Sequence, residues 1–188
     1  MGDTSDKFNS ELGAGEKVVW SGQPANKLFT TADFFLVPFS VLWCGFAIFW
    51  ESMATGDGAP VFFPVFGGMF VLAGLYFVFG RFIYKSYKQK RSYYAVTNKR
   101  VIILQDTGGS KITSAYITQI PSIEKKIGSD GVGSITFGNS APYARMYANT
   151  GMDFFGSMYG VSAPAFYDIK DADEVYQIVN KSVQEAHK

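Results

Sequence analysis

The sequence predicts a membrane helical hairpin followed by an α+β domain, in which six or seven antiparallel strands form an open barrel capped by a C-terminal helix. Two long apolar runs, 34–50 and 61–80, contain no Asp, Glu, Lys, Arg or His. After them the sequence changes to short β-branched and aromatic segments separated by turn residues. The chain ends in an amphipathic helical pattern that needs a sheet to cover its apolar face.

The two apolar runs have the length of membrane spans. At a rise of 1.5 Å per residue, run 61–80 covers about 30 Å and run 34–50 about 25 Å, and a bilayer has a hydrocarbon core of about 30 Å. The connecting segment 51–60 is short and rich in turn residues. We therefore expect a transmembrane hairpin over residues 33–84 with antiparallel helices.

Small residues inside the runs indicate how the two helices pack. Gly45 of the first run and Gly67 and Gly74 of the second would let the helix backbones approach closely. The uncharged polar residues Ser40 and Tyr76 stand almost alone in these runs, whereas ion and solute pathways are marked by polar or ionisable residues. The hairpin is therefore expected to be an anchor with a helix-packing seam, not a pore.

A basic collar follows the second run and sets the expected orientation. The connecting segment 51–60 has no Lys or Arg, whereas five cations follow the second run, namely Arg81, Lys85, Lys88, Lys90 and Arg91. Lys and Arg near span ends stay on the cytoplasmic side, so both termini are predicted to be cytoplasmic. Residues 1–32 are predicted to form a cytoplasmic N-terminal segment, in which Trp20 could lie at the membrane surface. Cys44 is the only cysteine and lies inside the first run, which excludes an intrachain disulfide.

The same collar is the strongest candidate for lipid contact. Arg81, Lys85 and Lys88 share one helix face through their i, i+4, i+7 spacing. Each cation near an anionic leaflet contributes about 1 kcal/mol, so the collar could attract anionic lipid headgroups non-specifically. The alternative is that these residues only fix the topology and extend to the interface. The two interpretations are compatible.

The predicted β domain spans residues 85–188. Its strands are expected at 92–97, 101–105, 111–117, 121–127, 133–138 and 165–169, with a weaker candidate at 143–148. Asp171 and Glu174 have the spacing of a capping box at the start of the last helix. The apolar face of that helix would consist of Val175, Ile178, Val179, Val183 and Ala186.

Several of these segments resemble one family. Residues 94–103 (YAVTNKRVII) resemble the strand-turn-strand signature of the bacterial pleckstrin-homology-like domain family, and 131–137 (GVGSITF) is similar to its later glycine-turn-strand motif. Residues 165–176 are similar to its closing strand and helix, and 15–24 (GEKVVWSGQP) to the segment that precedes the spans in members built this way. The resemblance implies a pleckstrin-homology-like fold in a multi-pass protein of the bacterial inner membrane. It implies no reaction.

Segment 140–164 departs from that family pattern. It is rich in large apolar side chains, which include Tyr143, Met146, Tyr147, Phe154, Phe155, Met158 and Tyr159. Met and aromatic residues are adaptable contact residues, so the segment is a candidate for contact with a partner protein or with the membrane interface. It could also fold back over its own barrel. These three alternatives remain open from the sequence.

The sequence gives little support for catalysis or for binding of nucleic acid, nucleotides or multi-phosphate headgroups. The net charge of +1 gives no basic field for nucleic acid, and the only histidine, His187, is next to last. Gly131 and Gly133 precede a predicted strand, so no helix N-terminus follows them to hold a phosphate. Lys99 and Arg100 are too few for a multi-phosphate headgroup. We predict no catalytic residue, no cofactor, no metal and no nucleic-acid partner.

Three hypotheses on function follow. The first is a non-enzymatic integral membrane protein that presents a cytoplasmic module for protein interaction or assembly, with a membrane-protein partner or self-association. The second is a sensor of anionic lipid headgroups that uses the basic collar. The third is an accessory subunit of a transporter or other membrane complex, in which a partner would supply the polar membrane residues.

Overall fold

Two long apolar helices join a two-sheet β domain at one end. The computed structural model describes residues 4–54, 60–128, 130–158 and 162–186. The helices are α1 Asp33–Ala54, α2 Phe62–Leu75, α3 Arg81–Lys90, α4 Pro142–Tyr147, α5 Asp153–Met158 and α6 Ala172–Ala186. The strands are β1 Val18–Gly22, β2 Ser92–Thr97, β3 Arg100–Asp106, β4 Ser110–Tyr116, β5 Ile123–Ile127, β6 Gly133–Phe137 and β7 Ala165–Ile169.

The second long helix is continuous from α2 to α3. A π-helical turn, Tyr76–Gly80, connects the two, so that one helix of 29 residues runs over Phe62–Lys90. Both this helix and α1 are long and apolar enough to cross a membrane. Of the most apolar 18-residue stretch of each helix, only 22% is buried in the first and 11% in the second. The core helix of a soluble protein would be mostly buried. The prediction of two apolar helices is confirmed.

The packing seam of the hairpin involves two of the three glycines expected there. A Cβ at Gly74 would lie 3.0 Å from the backbone of Cys44, and one at Gly67 would overlap the Glu51 carboxylate. Gly45 faces outward, and a Cβ there would meet nothing within 4 Å, so its assignment to the seam was wrong. The helix α1 continues to Ala54, which places Glu51 in its last turn instead of in the connecting segment.

All seven strands are antiparallel to their neighbours and form two open sheets. The first sheet has the order β1-β2-β3-β4 and the second the order β5-β6-β7. Strand β1 precedes the hairpin and pairs with β2, which follows it. The N-terminal segment therefore contributes an edge strand to the domain, and the chain enters and leaves the hairpin on the same side. Trp20 stacks on Phe166 at 6.0 Å in the core, so its expected position at a membrane surface was wrong.

Aromatic and branched side chains of both sheets fill one core. The Phe166 ring stacks on Tyr94 at 4.7 Å and meets Phe137 edge-on at 4.8 Å. The helix α6 covers this core with Val175 and Val179, which are fully buried. The predicted apolar stripe of the last helix is confirmed for the residues that the structure describes, a set that leaves out the side chain of Ala186.

Two local predictions were wrong. Residues 142–147 form the helix α4 and not a strand, because Pro142 favours the first helical turn and Ala144, Arg145 and Met146 are good helix formers. Asp171 has a φ of +55°, whereas a helix N-cap residue takes extended backbone, so the capping-box geometry does not apply there.

Candidate functional site

A buried ion pair closes the base of the hairpin. Asp33 is the first residue of α1 and Arg81 the first residue of α3, and the Arg81 Nη1 donates to Asp33 Oδ1 at 2.5 Å. The Asp33 carboxylate also accepts hydrogen bonds from the backbone N–H and the hydroxyl of Thr30, at 2.6 and 2.8 Å. Arg81 Nε donates to the Phe77 carbonyl at 2.8 Å. Both charged groups are therefore buried and hydrogen-bonded to each other and to their own chain segments, although Arg81 Nη2 has no hydrogen-bond partner among the described residues.

A second buried group continues this arrangement along α3. Lys85 Nζ donates to the Leu28 carbonyl at 3.0 Å and lies 3.8 Å from Asp168 Oδ2. Gln89 Nε2 donates to the same Asp168 oxygen at 2.8 Å. Asn149 Nδ2 donates to it as well, at 2.5 Å. Asp168 thus connects α3, the strand β7 and the segment between α4 and α5.

We call these five residues the junction cluster: Asp33, Arg81, Lys85, Gln89 and Asp168. All are less than 9% exposed. On α3 the members follow i, i+4, i+8 spacing, which places them on the helix face that meets the β domain. The cluster therefore joins α1 to the second long helix through Asp33 and Arg81, and joins that helix to the domain through Asp168.

The structure divides the basic collar into two parts. The side chains of Arg81 and Lys85 are 0% and 2% exposed and point into the protein, so their assignment to lipid contact was wrong. Lys88 is partly buried and pairs with Asp153 at 3.3 Å. Lys90 and Arg91 are exposed, and only these two collar residues could meet a headgroup without rearrangement.

The aromatic segment expected to contact a partner, the membrane or its own barrel lies against the second long helix. The Phe155 ring lies 6.2 Å from that of Phe77 and 5.9 Å from that of Tyr147. The hydroxyl of Tyr76 donates to the Gly151 carbonyl at 2.8 Å. Four other members of the segment are more than half exposed, namely Tyr143, Met146, Phe154 and Met158. The candidate Tyr159 lies outside the described residues.

A polar groove of about 420 Å³ adjoins the junction cluster. It lies between residues 27–32, the strands β5 and β6, and the helix α4. Its lining includes hydroxyl and amide side chains, among them Thr30, Thr31, Ser134, Thr136, Ser140 and Asn149. Arg145 at its rim pairs with Glu124 at 3.0 Å, whereas Lys126 is exposed. Such a lining can hold a small polar or anionic group.

A separate, partly buried ion pair joins the N-terminal segment to the β2–β3 turn. Arg100 Nε donates to Glu16 Oε1 at 2.9 Å, and the Thr97 hydroxyl donates to the same oxygen at 2.7 Å. The Arg100 guanidinium, with the Gly13 N–H and the Thr97 hydroxyl, holds the pKa of Glu16 at about 2. Asn98 adds a hydrogen bond from the Lys17 N–H at 2.9 Å. Residues 97–100 (TNKR) thus have a structural role, because they bind the N-terminal segment that contains β1.

Two tyrosines of the β domain, Tyr94 and Tyr167, are titratable groups whose pKa burial raises. Burial raises the pKa of Tyr94, whose hydroxyl accepts a hydrogen bond from the Tyr167 N–H at 3.2 Å. Burial also raises the pKa of Tyr167 to about 12, so both phenols stay protonated at neutral pH. Among the described residues no group of three or more His, Cys, Asp or Glu could hold a metal ion. The absence of enzymatic activity remains a prediction.

Sequence reasoning missed the acidic half of the junction cluster. A signal was present, because Asp33 directly precedes the first apolar run and Arg81 directly follows the second. In an antiparallel hairpin these two positions lie at the same end. Asp168 carried no comparable signal, since its partners come from distant parts of the chain.

No family model, no curated protein and no solved structure matches this chain.

Proposed function

We propose that this protein is a non-enzymatic integral membrane protein in which the hairpin spans the bacterial inner membrane and presents a pleckstrin-homology-like domain to the cytoplasm for protein interaction or assembly. The observation that supports it is the junction cluster. Two exposed apolar helices leave one side of a folded domain, a buried ion pair joins them to each other, and buried hydrogen bonds fix the second to the domain.

The cluster distinguishes a rigid platform from a tethered domain. A flexible linker would be sufficient to keep a domain near a membrane. Here, instead, Arg81, Lys85 and Gln89 on three successive turns of α3 each bond a different part of the chain, namely Asp33, the Leu28 carbonyl and Asp168. The domain is thereby held at one height and one angle to the hairpin. Such fixed geometry suits a module that must meet a partner in the same membrane.

Two surfaces are available for such contacts. The outward faces of the hairpin carry exposed side chains such as Phe35, Leu42 and Leu72, which suit lipid or another membrane helix. The strand β4 is an edge of the first sheet and exposes Tyr116 by 50%, so a partner strand could pair with it. A membrane-protein partner, an accessory role in a transporter complex or self-association would each use one of them.

The test uses the full chain in native membranes. A photo-crosslinking residue is placed at Leu72 on the hairpin, at Tyr116 on the β4 edge, and at buried Val179 as the matched control. We expect the protein to resist alkaline carbonate extraction and to give a reproducible adduct, with itself or with one protein, from Leu72 or Tyr116 but not from Val179. Carbonate release, or identical patterns at all three positions, would contradict the proposal.

A second candidate function rests on the polar groove. Residues 27–32 line it and lead directly into α1, so the groove lies near the base of the hairpin, and exposed Lys126 lies at its edge. This arrangement favours binding of an anionic lipid headgroup in the groove and not at the basic collar. Native mass spectrometry of the detergent-solubilised protein would count retained phosphatidylglycerol. Wild type should retain more than Lys126→Gln, and equal retention would exclude this function.

A further inference from the structure

The helices α4 and α5 lie beside the second long helix at the end of its apolar surface. Gly151, between them, packs so closely on Arg81 that a Cβ would fall 2.1 Å from the Arg81 carbonyl oxygen. From there the chain reaches Phe155, whose ring contacts Phe77. Phe77 lies four residues nearer the connecting segment than Arg81, which corresponds to about 6 Å along a helix. The segment thus extends past the base of the hairpin toward its apolar part.

The exposed side chains of the second long helix show where that apolar surface ends. Phe79 and Ile83 are 63% and 72% exposed, so the apolar surface continues past Arg81. Tyr84 and Tyr87 follow, and both are about half exposed. Tyrosines in such a position are typical of the membrane–water interface. The contacts of Phe155 and Gly151 at Phe77 and Arg81 therefore lie at the depth of the interface or below it.

The segment itself has two different faces. Its inward face combines polar contacts with apolar ones: Asp153 pairs with Lys88, Asn149 bonds Asp168, and Met152 is buried. Its outward face carries large apolar side chains that are 51–66% exposed, namely Tyr143, Met146, Phe154 and Met158. We call these four side chains the apolar patch, and so many exposed large apolar side chains on one short segment are unusual on a surface that faces water. Such a patch is typical of helices that lie in the plane of the interface, with the apolar face inserted by roughly 5–10 Å.

We propose that α4 and α5 form a membrane-interface element whose four outward side chains insert at the boundary between lipid headgroups and acyl chains. The occupant is lipid, because the patch continues the exposed apolar surface of the second long helix through the contact of Phe155 with Phe77. The inference rests on the proposed function, since it requires the hairpin to span the bilayer. It gives the domain a third point of attachment to the membrane, beside the two helices.

Spin labels on single cysteines test the depth. Cys44, which is buried in the hairpin, is first replaced by Ala. Labels are then placed on the full chain at Tyr143 and Met158 in the patch, at Leu72 on the hairpin, and at Tyr116 on β4. Tyr116 is the matched control for Tyr143, because both are tyrosines with exposures of 50% and 64%. All four side chains are exposed, so labelling should not disturb the core.

Collision with oxygen and with a water-soluble nickel chelate, in phosphatidylglycerol and phosphatidylethanolamine nanodiscs, reports the depth of each label. We expect the oxygen-to-nickel accessibility ratio at Tyr143 and Met158 to exceed that at Tyr116 several-fold and to approach that at Leu72. A water-like ratio at Tyr143 and Met158, with a lipid-like ratio at Leu72, overturns the inference alone. Low access of both reagents at the patch means protein contact and also overturns it. A water-like ratio at Leu72 overturns the proposed function.

Discussion

The two ends of the second long helix differ in which side chains they bury. In α2 the large apolar side chains are outside, with Leu72 68% and Met69 65% exposed. In α3 two of the charged side chains, those of Arg81 and Lys85, are inside and almost completely buried. The helix is continuous, so the difference comes from what surrounds each end. The apolar end is suited to lipid, whereas Arg81 and Lys85 at the basic end are surrounded by polar groups from other parts of the chain.

The comparison shows that a cation next to a long apolar helix can have a structural role. Exposed cations at this position would lie near headgroups and fix the topology. Arg81 and Lys85 instead occupy a polar interior, where each has an acidic partner or a carbonyl within hydrogen-bond distance. Their removal should therefore affect the fold before it affects lipid binding. The predictions below test this difference, from the largest expected effect to the smallest.

The largest effect is expected when the buried pair at the base of the hairpin is broken. Arg81→Met leaves the Asp33 carboxylate buried without its cation, which should lower the free energy of unfolding by about 3–5 kcal/mol. Chemical denaturation in a mild detergent, followed by circular dichroism, measures the loss. The change removes the charge but retains much of the apolar stem of the side chain.

A matched control uses an exposed pair of the same type. Arg145→Met breaks the pair with Glu124, whose side chains are 49% and 58% exposed, and should cost about 1 kcal/mol or less. The double change Asp33→Leu with Arg81→Met should recover part of the loss, because no unpaired charge remains. Equal effects of Arg81→Met and Arg145→Met would mean that the buried cluster has no special importance.

Acid is expected to have the next largest effect on stability. It acts through the Glu16–Arg100 ion pair, which lies outside the second long helix. The pKa of Glu16 is about 2, below its ordinary value of 4.5, so the folded state binds the proton less readily than the unfolded state. Its contribution is complete above pH 4.5 and is lost as the pH falls toward 2. The full difference in pKa corresponds to about 3 kcal/mol, which solvent screening at the partly exposed Arg100 reduces to about 2 kcal/mol. Denaturation midpoints measured across this range should fall steeply in wild type and less in Glu16→Gln. Parallel profiles would exclude Glu16 as the group responsible.

Local patterns were sufficient to predict much of the fold. Charge-free runs predicted the two helices, and β-branched segments predicted six of the seven strands, because both signals depend on neighbouring residues. The strand β1 was missed, since residues 18–22 become a strand only by pairing with β2 on the other side of the hairpin. The π-helical turn Tyr76–Gly80 likewise has no periodic signal that separates it from an α-helix.

The candidate site was harder to predict, for a related reason. The spacing of Arg81 and Lys85 correctly placed them on one face of a helix. It could not show whether that face meets lipid or protein, because the partners Leu28 and Asp168 come from segments far apart in the chain. Burial of charge is decided by such long-range contacts. Membership of the pleckstrin-homology-like family also remains a resemblance in motifs.

A smaller effect is expected at the helix-packing seam of the apolar end. Gly74→Ala would place a methyl group 3.0 Å from the Cys44 backbone, and such overpacking should cost about 1–3 kcal/mol. Gly45→Ala is the matched control, since a Cβ there meets nothing within 4 Å and alanine favours the helix by about 1 kcal/mol. Unfolding by sodium dodecyl sulfate titration compares the two. If Gly45 belonged to the helix-packing seam, both changes would lower the stability of the hairpin.

The smallest effect on stability is expected at Lys90, where the collar becomes exposed. Lys90→Gln touches no buried partner, so the free energy of unfolding should change by at most about 0.5 kcal/mol. Its loss should instead weaken attraction to an anionic leaflet by about 1 kcal/mol, an effect that salt screens. Lys85→Gln should behave in the opposite way, because Lys85 is buried and bonded to the Leu28 carbonyl. Denaturation curves, together with the protein's preference for phosphatidylglycerol at two salt concentrations, measure both quantities. If Lys85→Gln altered lipid preference and left stability unchanged, the division of the collar into a buried and an exposed part would be wrong.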